Sequence, residues 1–137
     1  MVKMVVEYGE QYAMTIKSLD TKAVARTDVP QNYGGKGQEF SPTDLFAGSL
    51  GACILSVMGM QAERLGVSLA GVKAEVTKNQ GAVQGGIGEI LVHVYFPQAF
   101  EASVREKLEK AAKNCPVHHC IDTKVRQEMV FHWGKTF

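Results

Sequence analysis

From Leu45 to Met60 the chain carries no charged side chain, and no other feature limits its fold as strongly. The residues before this run mark a helix start. Ser41 suits an N-cap, Pro42 suits the first helical position because its missing N–H would have no intrahelical partner, and Asp44 sets a carboxylate near the positive helix end. Gln61, Glu63 and Arg64 return the chain to water, and Gly66 supplies a stop. A helix with no solvated face over about four turns has to be enclosed by protein. Gly48, Gly51 and Gly59 lower its intrinsic propensity, which is consistent with a neighbouring element packed close to the backbone. One chain of this size struggles to enclose such a helix. Two copies that set these helices together and close a sheet around them solve the burial, so a homodimer is expected.

Short runs rich in Val, Tyr, Ile and Thr read as three antiparallel strands before the helix: Lys3 to Tyr8, Tyr12 to Ser18 and Ala23 to Thr27, with turns at Gly9 and Asp20. Pro30 to Gly37 is a loop by composition. After the helix, Val67 to Lys78 alternates approximately around Gly71, and most of it reads as a strand. A turn through Gly85 and Gly86 leads to Ile87–Phe96, where Ile90, Val92, Val94 and Phe96 alternate with Leu91, His93 and Tyr95. Val104, Leu108 and Ala111 or Ala112 form the apolar stripe of a surface helix, Cys115 to Ile121 makes a turn or two of helix, and Lys124 to Trp133 closes the chain as a strand. Runs of strands, not βαβ alternation, dominate, so the expectation is one α+β domain over residues 1–137, with antiparallel sheets wrapped around a long buried helix.

Fifteen Lys plus Arg stand against fourteen Asp plus Glu, leaving a formal charge of +1. Such a balance provides no field to gather nucleic acid or anionic lipid. No charged leader precedes an apolar stretch, and no segment is expected to approach the roughly 20 unbroken apolar residues of a membrane helix, so a cytoplasmic protein is expected. Three cysteines without a secretory leader argue against a disulfide framework and for reactive, metal-binding or buried thiols.

Each thiol has a local setting. Cys53 lies mid-helix in LGACILSV, where a free cysteine usually serves as a small buried hydrophobe. Cys115 directly precedes Pro116 in NCPVHHC, which places it at or beside an N-cap, where free backbone N–H groups favour a thiolate. His118 and His119 bring at least one imidazole over the same helix face, although exposed histidines are more often simply surface. Cys120 sits about 140° around an ideal helix from Cys115 and reads as a core or spare thiol. Cys115, His118 or His119, Cys120 and Cys53 could together supply zinc or copper ligands, a reading only weakly supported by their spacing.

The glycine-containing loop, the opening SPTD, the AC deep in the apolar helix and the later NCP resemble the OsmC/Ohr family along nearly the whole chain. The resemblance implies an intertwined α+β homodimer with two active sites at the subunit interface, each reducing organic hydroperoxides with a pair of cysteines. It makes Cys53 the peroxidatic thiol and Cys115 the resolving one. An external dithiol completes the cycle, and no cofactor is implied. An apolar surround from Phe46, Leu50, Ile54 or Met58 would favour alkyl or fatty hydroperoxides.

Two positions depart from the family pattern. The glutamate that follows the helix-opening proline is replaced by Thr43, and the arginine that pairs with it is missing from the first hairpin. Arg26 is the only arginine before the helix and is the candidate substitute, whereas Asp44 points about 100° away from Thr43 and fits a capping role. The chain therefore reads as an OsmC-like branch lacking the usual catalytic glutamate. A non-catalytic protein that binds a small apolar ligand or a metal at the cysteine site is the alternative.

Overall fold

The computed structural model describes residues 1–81 and 86–137. Among the described residues, six strands and three α-helices follow in the order β1 (Met4–Tyr8), β2 (Met14–Ser18), β3 (Val24–Thr27), α1 (Pro42–Leu65), β4 (Lys73–Asn79), β5 (Glu89–Phe96), α2 (Ala102–Lys113), α3 (Pro116–Cys120) and β6 (Arg126–Trp133). The fold is α+β with two three-stranded sheets, as expected. The chain divides into two compact units, Met1–Phe46 and Ala47–Phe137.

The first unit holds the antiparallel sheet β1-β2-β3, with Val6 opposite Ile16 and Thr15 opposite Arg26. A short bridge between Thr27 and Phe40 closes the loop that leads to α1. Within that loop the buried Asp28 accepts a hydrogen bond from the Gln38 backbone N–H at 2.7 Å. At the helix start, Ser41 and Asp44 cap each other. The Asp44 N–H donates to Ser41 Oγ at 3.1 Å, and the Ser41 N–H donates to Asp44 Oδ2 at 2.8 Å. Each side chain thereby satisfies a backbone donor that the helix itself leaves unpaired, which is why this segment starts where it does.

The second unit contains the core. On β5 the alternation is complete, and Ile90, Val92, Val94 and Phe96 are all fully buried. They join Ala47, Leu50, Ile54, Met58 and Ala62 of α1, and Leu108 and Ala112 of α2, in one hydrophobic cluster with Val125, Met129, Phe131 and Trp133 packed against it. Gly51 lets the sheet come close, since a Cβ there would stand 2.6 Å from Val76 Cγ2.

Four expectations need correction. The β4-β5 pair is antiparallel, but β5 and β6 are parallel, because α2 and α3 lie between them and carry the chain back to the end where β5 began. The strand after α1 begins at Lys73 and not at Val67. Gly66 and Gly71 both have positive φ, and the Val72 N–H donates to the Leu69 carbonyl, so the intervening residues turn instead of extending.

The third concerns enclosure. Within one chain only a stripe of α1 is covered, while Phe46 is 45% and Met60 58% exposed, and a Cβ on Gly48 or Gly59 would meet nothing. The fourth concerns length. At 24 residues α1 is long and apolar enough to cross a membrane. Core helices of globular proteins meet the same criterion, and the buried stripe of this one belongs to the hydrophobic cluster. The turn expected at Gly85 and Gly86 falls largely outside the described residues.

Candidate active site

Cys53 and Cys115 come together inside the second unit. Cys53 sits on the flank of α1's buried stripe, one residue before the fully buried Ile54, and is itself half-buried. Cys115 is fully buried and is the N-cap of α3, with Pro116 as the first helical residue. Its Sγ accepts a long hydrogen bond from the His118 backbone N–H at 3.5 Å. The two thiols lie close enough to interact, and neither is in a disulfide.

Position alone argues that an N-cap cysteine should ionise easily, and the structure corrects that expectation. Burial pushes the Cys115 thiol up, the hydrogen bond and proximity to Cys53 push it further, and the backbone N–H groups of His118 and Val117 oppose them only in part. A thiolate there loses its hydration, and a five-residue helix returns too little to compensate. Cys115 is held as a neutral thiol beside Cys53.

The histidines stand apart from this pair chemically. Gln127 on β6 donates through Nε2 to the His118 carbonyl at 3.2 Å, which turns its Oε1 toward His118 Nδ1 at 2.7 Å. An amide oxygen accepts, so the proton lies on Nδ1. His118 is thus tied to the sheet, while His119 and Cys120 are exposed. Among the described residues no three His, Cys, Asp or Glu side chains gather as a metal would need, so the Cys115, His118, His119, Cys120 and Cys53 ligand set does not form. Nothing in the residue pattern marked Gln127 as the partner of His118.

Between them, α1 and α2 leave a cleft of about 280 Å³ lined by Val57, Met60, Gln61, Arg64, Ala111 and Asn114. Val57 is one helical turn beyond Cys53 and Asn114 directly precedes Cys115. Arg26, in the first unit, is exposed on β3 opposite Thr15. Thr43 Oγ1 lies 3.1 Å from Ser41 Oγ, and Asp44 is engaged in the helix cap, the role its position suggested.

The sequence model of the OsmC-like protein family matches residues 35–129, and so contains both Cys53 and Cys115. The chain belongs to the OsmC-like family. A protein of Psychrobacter arcticus 273-4, described as an osmotic stress induced and detoxification response protein, is 31% identical over 96% of both chains with a TM-score of 0.91. Two OsmC-like structures at 20% identity share the fold. One is the organic hydroperoxide resistance protein OsmC of Legionella pneumophila, with a TM-score of 0.70 over 96% of both chains. The other is an organic hydroperoxide resistance protein of Elizabethkingia anophelis bound to thiocyanate, with a TM-score of 0.72 over 97% of this chain and 96% of that one. No protein of curated function matches.

Proposed function

We propose that this OsmC-like protein detoxifies organic hydroperoxides by a dithiol cycle in which Cys53 attacks and Cys115 resolves. The observation that carries the reading is the proximity of the two free thiols, one half-buried and the other fully enclosed. The Cys53 thiolate would attack the outer peroxide oxygen, breaking the O–O bond to leave Cys53 as a sulfenic acid and the organic part as an alcohol. Cys115, kept protonated by burial, would then condense with the sulfenic acid, forming the disulfide and releasing water. An external dithiol would return both thiols by exchange, being itself oxidised to a disulfide.

The roles follow from access. Cys53 is half-buried and partly open to solvent, whereas Cys115 has no exposed surface and would be reached only after Cys53 has reacted. Arg26 is proposed as the third catalytic residue, in place of the family's usual pair. A homodimer is part of this reading, supported by the exposed Phe46 and Met60 and the open flanks of Gly48 and Gly59 on a helix that carries no charge from Leu45 to Met60.

The test is consumption of an organic hydroperoxide by reduced protein with a small dithiol present. Turnover that vanishes in Cys53→Ser supports the reading, and turnover unchanged in that variant overturns it.

A further inference from the structure

Gln127 is a polar residue in an apolar row. On β6 it shares a face with Met129, Phe131 and Trp133, which pack against the hydrophobic cluster, and it stands beside the fully buried Ile90 across the parallel pair. A half-buried amide on that face needs hydrogen-bond partners, because a polar group left unpaired away from water costs free energy. His118 of α3 supplies both. Gln127 Nε2 donates to the His118 carbonyl at 3.2 Å, and His118 Nδ1–H donates to Gln127 Oε1 at 2.7 Å. One amide, fixed by the sheet, thus holds the backbone and the ring of one residue.

The clasp matters because α3 has little else to hold it. A helix of five residues is unstable by itself, and the side chains of this one are half-buried or exposed. The fully buried Cys115 precedes it and the buried Ile121 follows it. Between them His118 bonds in two directions. Its carbonyl accepts from Gln127, and its backbone N–H donates to Cys115 Sγ at 3.5 Å. A line of contacts therefore runs from the β5–β6 pair through Gln127 and His118 to the second thiol. We infer that Gln127 is a positioning residue for Cys115, holding the first turn of α3 so that this thiol stays beside Cys53 for the second oxidation step. The inference rests on the dithiol cycle proposed above and concerns only its second half. In that step the Cys115 sulfur bonds to the Cys53 sulfur, the S–O bond of the sulfenic acid breaks, and the hydroxyl leaves with the Cys115 thiol proton as water. A disulfide tolerates only a narrow geometry, so a thiol free to wander condenses more slowly. His118 contributes its backbone and an N–H at the Nδ1 position, not imidazole acid–base chemistry.

The experiment is a single turnover of the reduced full chain with one equivalent of cumene hydroperoxide, quenched in acid at intervals and weighed by mass spectrometry. Gln127→Ala should consume peroxide at the wild-type rate. It should pass from the chain heavier by one oxygen to the chain lighter by two hydrogens roughly tenfold more slowly. Glu109→Ala removes the acceptor of Trp133 Nε1 on the same sheet and controls for lost stability, so it should keep wild-type timing. His118→Asn, whose amide N–H can stand where Nδ1–H does, should condense as wild type, whereas His118→Ala should be slow. This second pair carries the test if Gln127→Ala folds poorly. Equal condensation rates in wild type and Gln127→Ala, equal slowing in Glu109→Ala, or His118→Asn as slow as His118→Ala would overturn this assignment alone. Wild-type protein that forms no bridge between Cys53 and Cys115 would overturn the dithiol cycle and the assignment with it.

Discussion

The Cys115 thiol stands beside the Cys53 thiol, bringing the N-cap of α3 to the middle of α1. Burial holds Cys115 neutral, so the pair carries one potential nucleophile and one reserved donor. Replacing Cys115 should therefore leave the first oxidation step and remove the second. In Cys115→Ser, one equivalent of organic hydroperoxide should leave Cys53 as a sulfenic acid that dimedone traps, and excess peroxide should drive it to the sulfinic acid. Mass spectrometry of the Cys53 peptide reads both outcomes. Failure to trap an adduct while peroxide is consumed would count against these roles.

The buried neutral thiol also fixes a sign for stability. The folded-state value of Cys115 lies above that of the unfolded chain, so its contribution is full below the unfolded value of about 8.5 and is lost as pH rises through the folded value, because the unfolded state gives up its proton first. Denaturant unfolding between about pH 7.5 and pH 10 should show wild-type stability falling more steeply than that of Cys115→Ser. Parallel slopes would mean that Cys115 is not held neutral.

The reciprocal cap at the start of α1 predicts coupled losses. Ser41→Ala and Asp44→Ala should each destabilise by about 1 kcal/mol, and the double variant by clearly less than the sum, because either change breaks the shared arrangement. Thermal or urea unfolding measures this. Additive losses would indicate that the two hydrogen bonds act independently.

Glycines along α1 should separate core packing from association. Gly51→Ala meets Val76 Cγ2 and should destabilise by about 1–3 kcal/mol in spite of better helix propensity. Gly59→Leu has open space in the single chain and should spare folding while weakening self-association, read by analytical ultracentrifugation. A variant that associates as wild type would remove this helix flank from the dimer reading.

Arg26 is tested by its effect on Cys53 alone. The role proposed for Arg26 predicts that Arg26→Ala slows Cys53 alkylation at neutral pH. Thr43→Glu, which restores the family's acid, should raise the peroxide rate only while Arg26 is present. Unchanged alkylation in Arg26→Ala would leave Arg26 as a surface cation.

Much of this architecture is legible in the residues because local signals and burial agree. Ser41, Pro42 and Asp44 announce the helix that they cap, and the β5 alternation from Ile90 to Phe96 matches its buried face residue for residue. The failures have physical causes. Alternation around Gly71 resembles a strand, but positive φ at Gly66 and Gly71 is a backbone property that an apolar count does not register. Parallel pairing of β6 depends on where two intervening helices deliver the chain. At the site, Cys53 and Cys115 could be singled out, but their contact joins residues far apart in sequence. The neutral state of Cys115 reflects burial, which overrides the N-cap geometry that NCP suggests.

The most direct test of the central claim is the mass and peptide map of reduced protein after one equivalent of an organic hydroperoxide. A chain lighter by two hydrogens, with a bridge joining Cys53 to Cys115 and Cys120 still free, is the result predicted here. Thiols left intact, or a bridge that runs through Cys120, would contradict it.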